Sequence, residues 1–336
     1  MSVSLSVLDL ATAGGDVTPR DALLGSAELA RHAEGWGYGR YWFSEHHNMP
    51  SIVSSTPAVL AGYIAANTER IRVGSGGVML PNHSPLIIAE QYGTLETLYP
   101  GRVDLGLGRA PGTDFDTVRA MRRSPEASDR FPQDVQELQR LLGPRRPGQT
   151  VRAIPGEGTE VPLYILGSSL FGAHLAAQLG LPYAFASHFA PAELLNASRV
   201  YHEEFRPSEQ LDAPYMIASM NVFAADTREQ AELLHATALE KMARALSGRS
   251  VDATDRAETE AILRSPVGRH ALQMLHYSAV GDADAVGEQV RSFAAQAGAD
   301  EVMVAMNVAD LPSRVRSYEL LASTVVEDAA QTVAPG

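Results

Sequence analysis

Short apolar segments alternate with amphipathic ones along most of the chain. Residues 71–80 are β-branched and apolar with small residues inserted, which is typical of a strand buried on both faces. Residues 86–98 repeat apolar side chains every three or four positions, as an amphipathic helix does, and Pro100 and Gly101 end that pattern. A second apolar strand follows at 103–108. A helix between two such strands predicts a βαβ unit with parallel strands.

The same alternation continues through the chain. The predicted strands are 3–10, 38–44, 71–80, 103–108, 163–166, 183–187, 215–224 and 301–306, and the predicted helices are 19–36, 56–67, 86–98, 128–142, 170–180, 191–205, 282–298 and 311–326. Residues 226–280 are polar and helical without a strand signal, which predicts a helical insertion between strands seven and eight. Eight strands alternating with helices predict an α/β fold, a (β/α)8 TIM barrel. A doubly wound sheet is the alternative that periodicity alone does not exclude. No repeat or composition break divides residues 1–336, so a single domain is expected.

Composition narrows the possible partners and chemistry. A formal net charge of −13 argues against nucleic acid or an anionic membrane as a partner. Cysteine is absent, which removes disulfides, thiolate metal sites and cysteine nucleophiles. Lys241 is the only lysine and lies in a polar helical run, so a Schiff-base or P-loop lysine is not expected. The first residues lack the features of a signal peptide, and the longest apolar run is too short to span a membrane, so we expect a cytoplasmic protein.

Glycines and one arginine gather where predicted strands end. Gly76 and Gly77 lie near the end of the third strand, and Arg109 directly follows the fourth. Parallel sheets and barrels bind ligands at the carboxyl ends of their strands, and arginine there can hold a phosphate or carboxylate. The motif GLGRAPG spaces its glycines one residue off the dinucleotide fingerprint, so that interpretation fails. The alternative to a ligand site is that the glycines only ease strand packing and that Arg109 forms a surface ion pair.

Two further groups of polar residues follow predicted strands. Gly167, Ser168 and Ser169 come between strand five and a helix, which favours a phosphate site over an ordinary serine N-cap. Glu45 and His46 follow strand two. Because neighbouring strand residues point to opposite faces, His46 and His47 should not bind one metal. His46 suits a general base, and a capped or core histidine is the alternative.

Three stretches of the sequence are recognisable. They are YWFSEHH after the second strand, VGSGGVMLPNHSPLIIAEQYGTLETLYPGRVDLGLGRAPGTD, and LYILGSSLFGAHLAAQLGLPYAFASHF. With them, the chain resembles the bacterial luciferase-like family of flavin-dependent monooxygenases and oxidoreductases over nearly its whole length. The resemblance implies a TIM barrel with flavin across the carboxyl-end mouth, and a non-prolyl cis peptide at Gly76–Gly77 under the isoalloxazine ring. It places the FMN phosphate at Arg109 and at Gly167, Ser168 and Ser169, with Arg130 as a second contact, and His46 near the reactive edge of the flavin.

The resemblance also implies a reaction. Reduced FMN, supplied by a separate NAD(P)H-dependent reductase, would react with oxygen to give a flavin hydroperoxide that oxidises a small organic substrate. His46 would manage the proton, with Glu45 in support. The luciferase's reactive cysteine is replaced by Gly108, so light emission is not implied. The insertion at 226–280 matches the family's variable region near the active-site mouth, and a homodimer is expected.

Three other functions stay open at this point. A deazaflavin-dependent enzyme would use the same fold for hydride transfer without oxygen. A non-catalytic flavin-binding protein would keep the phosphate site but lack a substrate pocket. A (β/α)8 metal hydrolase would need several ligands at strand ends, for which His46, Asp9 and His188 offer only a thin set.

Overall fold

A computed structural model of the chain describes residues 3–110, 112–251 and 255–326. The expected domain of 1–336 therefore includes residues outside the described part, and the predicted insertion of 226–280 includes three of them, 252–254. The strands are β1 Ser4–Asp9, β2 Arg40–Phe43, β3 Arg72–Met79, β4 Val103–Gly108, β5 Leu163–Gly167, β6 Tyr183–Phe185, β7 Met216–Ala224, β8 Ser278–Gly281 and β9 Glu301–Ala305. The helices are α1 Pro19–Gly35, α2 Pro57–Ala65, α3 Pro85–Leu98, α4 Phe115–Ala120, α5 Phe131–Leu142, α6 Leu170–Leu179, α7 Leu194–Glu204, α8 Arg228–Leu246, α9 Arg256–Arg264, α10 Pro266–Met274, α11 Ala283–Ala297 and α12 Leu311–Val325.

The sheet closes on itself. Strands β1 to β6 pair in sequence order, β6 pairs with β7, β7 with β9, and β9 with β1, all in parallel. This closed ring of eight strands confirms the predicted TIM barrel and excludes the doubly wound sheet, whose edges would stay open. Within the described residues, no helix is both long and apolar enough to cross a membrane.

The prediction of no strand between 226 and 280 was wrong. Helices α8, α9 and α10 lie in this segment, but β8 at its end pairs in parallel with residues 221–224 of β7. Asn221 is the last residue of β7 that pairs with β9, and residues 222–224 extend β7 beyond that part. Four residues, SAVG, carry too little periodicity to signal a strand, and the free edge of β7 supplies the pairing that makes them one.

The region before α5 also differs in detail from the sequence prediction. Helix α4 was not predicted; Asp114 caps it by accepting a hydrogen bond from the Thr117 backbone N–H at 2.9 Å. Residues 125–130 form a 3-10 helix, so α5 begins at Phe131 rather than at 128.

The interior of the barrel is filled in two ways. A small apolar cluster occupies its middle: Leu8, Trp42, Tyr164, Ala184, Ile217, Met303 and Ala305. At the amino ends of the strands, Arg40 lies between Asp104, at 2.9 Å, and Glu301, at 3.0 Å. Arg72 contacts the other oxygen of Asp104 at 2.5 Å, and the Trp42 indole N–H donates to Asp104 at 3.0 Å. Charges that satisfy one another therefore fill the amino end, which leaves the carboxyl end for a ligand.

Removing the shared carboxylate tests the role of this network. In Asp104→Asn the guanidinium groups of Arg40 and Arg72 lose their common partner inside the barrel. We expect the free energy of unfolding to fall by about 3–5 kcal/mol, the usual cost of breaking a buried ion pair by removing one partner. Asp116→Asn removes the exposed partner of Arg119 and should change stability little. Urea denaturation measures the free energy of unfolding of both variants. An equal loss of stability in the two would contradict the prediction.

Candidate active site

The ends of β4 and β5 form one corner of the mouth. Gly108 and Leu166 are paired across these strands, so the residues that follow each strand start side by side. The guanidinium of Arg109 stacks over the ring of Phe171, in the first turn of α6, at 4.0 Å. The structure thus brings Arg109 to the amino end of α6, beside Gly167, Ser168 and Ser169.

This corner has the properties of an anion site. Ser169 is the N-cap residue of α6, but its side chain makes no capping hydrogen bond, so its hydroxyl is not used as in an ordinary serine N-cap. Ser168, Ser169 and Arg109 are all exposed. Among the described residues no carboxylate forms an ion pair with Arg109. Free N–H groups at a helix start, two hydroxyls and one guanidinium are donors that fit a phosphate.

Arg130 is placed less clearly for this role. Its side chain is 73% exposed and lies 3.7 Å from Asp134, one turn further along α5. The segment that carries Arg130 contacts the corner through Ser128, whose hydroxyl donates to the Arg109 carbonyl at 3.2 Å. A contact from Arg130 to a phosphate stays a prediction.

Gly76 and Gly77 form a strip without side chains beside this corner. The peptide bond between them is cis, as the resemblance implied. The register between β3 and β4 shifts here, between Ser75 and Val78. A Cβ on Gly76 would lie 2.8 Å from a methyl of Leu8, and one on Gly77 would lie 2.8 Å from the Gly106 carbonyl oxygen. The β4 backbone therefore packs too closely on Gly77 for a larger residue, whereas Gly76 faces the side chains of Leu8 and Trp42.

His46 lies at the end of β2 and is held from two sides. Its backbone N–H donates to the Ser54 carbonyl at 3.2 Å, and its Nδ1 lies 3.0 Å from the Ser44 hydroxyl. Burial lowers the pKa of the imidazole below its usual 6.5, an effect that the charge of Glu45 only partly offsets. His46 is therefore neutral at pH 7. It also lines a cavity of about 380 Å³ whose other walls include Met49, Ile52 and Val53.

Glu45 is fully buried and points away from the His46 ring. Its carboxylate contacts His47 Nε2 at 2.9 Å and His83 Nε2 at 2.8 Å, and it accepts the Met79 backbone N–H at 3.0 Å. Burial raises the pKa of Glu45, but the hydrogen bonds from His47 and His83 outweigh it, so the net pKa is lowered. Glu45 therefore joins the ends of β2 and β3. Its predicted catalytic role is untested, and its contacts are those of a positioning residue.

The three candidate metal ligands, His46, Asp9 and His188, do not form a metal site. Asp9 faces outward from β1, where Arg314 Nη2 lies at 2.6 Å and the Ser26 hydroxyl donates to it at 2.6 Å. Across residues 3–110, 112–251 and 255–326, no three histidine or carboxylate side chains are arranged to hold a metal ion.

Two residues near the site were not singled out from the sequence. His83 contacts Glu45, and Asn221 on β7 donates to the His188 carbonyl at 2.6 Å. For His83 the available signal was a histidine in the loop after β3. Asn221 had no signal, because β7 is otherwise an apolar strand and its polar side chain gains a partner only from a distant loop.

Comparison with known proteins decides the family. The family model described as luciferase-like monooxygenase matches residues 3–301. A luciferase-like monooxygenase of Escherichia coli K12 is 46% identical over 95% of this chain and 96% of its own length. The chain belongs to the luciferase-like monooxygenase family. The N-acetyl-S-alkylcysteine monooxygenase of Bacillus subtilis 168, also similar, is 32% identical over 96% of this chain and 98% of its own length. Among solved structures, apo-MsnO8 is 36% identical, with a TM-score of 0.87, over 96% of this chain and 98% of the other.

Family membership confirms that this luciferase-like monooxygenase is an enzyme of the predicted class. Family membership does not assign functions to the individual residues of this chain. The match covers β1 to β7 and the site residues described above, and it ends at Glu301, the first residue of β9.

The contact of Glu45 with His47 predicts a pH-dependent stability. The hydrogen bond that His47 donates to the Glu45 carboxylate raises the pKa of His47 above 6.5, so the stability that this bond contributes is complete below pH 6.5 and is lost as the pH rises through the folded pKa. The pKa of Glu45 is lowered below 4.5, so its contribution is complete above 4.5 and is lost at lower pH.

We therefore expect His47→Gln to destabilise the protein most between about pH 4.5 and 6.5, and less at about pH 9. Thermal unfolding at a series of pH values measures the difference from wild type. His174→Gln, which removes an exposed pair with Glu204, is the control and should have little effect at any pH. If His47→Gln lost the same amount of stability from acid to alkaline pH, the charge of the His47 ring would make no contribution and the prediction would be wrong.

Proposed function

We propose that this enzyme uses reduced FMN and molecular oxygen to oxidise a small organic substrate. The observation that carries the proposal is the anion corner of Arg109, Ser168 and Ser169, adjacent to the side-chain-free strip of Gly76–Gly77. A phosphate donor set next to a flat strip of backbone suits a cofactor with a phosphate tail and a planar ring system. Flavin dependence is also what the sequence resemblance implies for this family.

The donor set fits the phosphate of FMN in charge and in number. Arg109 supplies a guanidinium held in place by Phe171, and α6 supplies backbone N–H groups at its positive end. The Ser168 and Ser169 hydroxyls add donors that no side-chain partner competes for in the described structure. When bound, reduced FMN supplies the electrons that activate oxygen, and we propose that a separate NAD(P)H-dependent reductase delivers it.

His46 is the residue suited to hold and move a proton. Its Nδ1 is engaged by Ser44, which is in turn 3.0 Å from Ser54. This chain of hydroxyls fixes the ring and leaves Nε2 as the nitrogen that exchanges a proton. A neutral imidazole can accept a proton from substrate or cofactor at pH 7, which a protonated one cannot. Glu45 supports this arrangement by fixing the strand ends around His46.

The surroundings of His46 favour a substrate with an apolar part. Met49, Ile52 and Val53 line the open cavity next to it, alongside Asn48 and Ser55, and they offer apolar contacts to part of a substrate. The similar enzyme of Bacillus subtilis is named for N-acetyl-S-alkylcysteines, compounds with one apolar alkyl group. Such thioethers are reasonable first substrates to assay.

Anaerobic cofactor titration tests the proposal. We expect wild type to bind reduced FMN, and Arg109→Ala to bind it about 10- to 100-fold more weakly, because hydrogen bonds to a charged group are lost. Arg119→Ala, a similarly exposed arginine on α4 paired with Asp116, is the matched control. Isotopically labelled molecular oxygen is then added to the complex together with a thioether. We expect one labelled oxygen atom in the oxidised thioether.

Three outcomes of this titration would change the assignment. Preference for a deazaflavin over FMN would indicate hydride transfer, and no oxygen label would then enter the product. Absence of binding to FMN, reduced FMN and the deazaflavin alike would contradict the proposal. Tight FMN binding with no oxidation of any substrate would instead favour a flavin-binding protein.

We also propose that the enzyme is a cytoplasmic homodimer that associates through α2 and α3. Adjacent helices α2 and α3 expose Val59 at 69%, Ile87 at 48% and Leu98 at 63%. Large apolar side chains exposed on adjacent helices are candidates for an interface. The double variant Val59→Asp/Ile87→Asp should be monomeric by light scattering. Leu233→Asp, at a 67% exposed position on α8, should leave the mass unchanged. A monomeric wild type would contradict the proposal.

A further inference from the structure

His188 is a residue of the mouth that the mechanism above does not use. It follows β6 and is fixed by the neighbouring strand β7. The Ser187 hydroxyl donates to the Ser219 carbonyl at 2.6 Å, and the Asn221 side chain donates to the His188 carbonyl at 2.6 Å. Two hydrogen bonds on consecutive residues hold this part of the loop rigidly. The backbone position of His188 is therefore a property of the folded barrel.

The ring of His188 has an unsatisfied polar atom. It packs edge-on against Phe189, with 4.9 Å between ring centroids. Its Nδ1 is completely enclosed and has no hydrogen-bond partner, and neither ring nitrogen bonds to any other described residue. Because Nδ1 is enclosed, a ligand in the mouth cannot reach it. Nε2 is not among the enclosed atoms, so it is the ring nitrogen to which such a ligand can bond.

His188 faces His46 across the barrel. In the order of the closed sheet, β2 and β6 are four strands apart out of eight and therefore lie on opposite sides. The two rings nevertheless interact electrostatically: burial first, and the charge of His46 second, lower the pKa of His188 to about 4. The two histidines therefore stand on opposite sides of the same mouth, and both are neutral at pH 7.

We propose that His188 binds an uncharged polar group of the organic substrate, such as a carbonyl, amide or hydroxyl, and so holds it opposite His46. This inference deepens the function proposed above and rests on it. The corner at β4 and β5 and the strip on β3 account for the cofactor, which leaves the β6 side of the mouth for the substrate. A neutral imidazole presents at Nε2 one donor or one acceptor, according to its tautomer, and this matches an uncharged amide or hydroxyl better than an ion.

The chain contains a matched control for His188. His235 on α8 is also a partly buried histidine with an enclosed, unpartnered ring nitrogen, and it packs edge-on against Phe223 at 5.3 Å. Burial lowers its pKa as well. It belongs to the packing between α8 and β7 and ends no barrel strand. The two residues therefore share their local chemistry and differ in whether they face the mouth.

Nitrogen-15 NMR of the histidine rings in FMN-loaded protein tests the proposal. Butyramide serves as the neutral probe, and butyrate and butylammonium serve as charged probes of similar size. We expect butyramide to shift the ring resonances of His188, the charged probes to shift them less, and His235 to stay unchanged. No shift of His188 at the highest soluble butyramide concentration, equal shifts at both histidines, or a larger response to butyrate would overturn the proposal.

Removal of the ring nitrogens provides a second measurement. His188→Phe should weaken butyramide binding about 2- to 10-fold, the effect of one lost hydrogen bond, with FMN affinity unchanged. His235→Phe should leave both affinities unchanged. Weaker FMN binding in His188→Phe would assign the ring to the cofactor and overturn the proposal. Failure of wild type to bind FMN contradicts the proposed function itself, whereas FMN binding without a butyramide response at His188 rejects only this inference.

Discussion

The ion network of Arg40, Asp104, Arg72 and Glu301 is the constraint on which the rest of this structure depends. These side chains come from four strands and meet inside the barrel at its amino end. Each of them would be costly to bury alone, and together they satisfy one another. Because charges and the apolar cluster of Leu8 and Trp42 fill the barrel to its middle, a ligand can enter only from the carboxyl end.

At that end, strand pairing converts separate sequence motifs into one site. Gly108 pairs with Leu166, and this single register contact places Arg109 beside the start of α6. Glu45 performs the corresponding task on the other side of the mouth, where it joins β2 to the loop after β3 through His83 and Met79. The site is therefore held together by contacts between strand ends, and its loops contribute the groups that face the ligand.

Histidines near the mouth show how burial sets chemical roles. His46 and His188 are of one residue type and both are kept neutral, because burial disfavours their charged forms. His47, adjacent to His46 in sequence, faces Glu45 instead, and its pKa is raised. Neutral rings suit proton exchange and hydrogen bonding to a substrate, whereas a charged ring suits a structural ion pair. The alternation of side chains at the end of β2 separates these two roles.

The sequence by itself determined the alternation of strands and helices, because that alternation is a local signal, and it determined the family through motifs such as GLGRAPG. The closure of the strands into a barrel, which excluded a doubly wound sheet, came from the tertiary structure. The sequence also pointed to Arg109, Ser169 and His46, since each directly follows a strand. Only the tertiary structure decided that Arg109 stacks on Phe171, that Glu45 turns from His46 toward His83, and that residues 278–281 form a strand. Each of these depends on a partner distant in sequence, a contact that no local pattern of residues records.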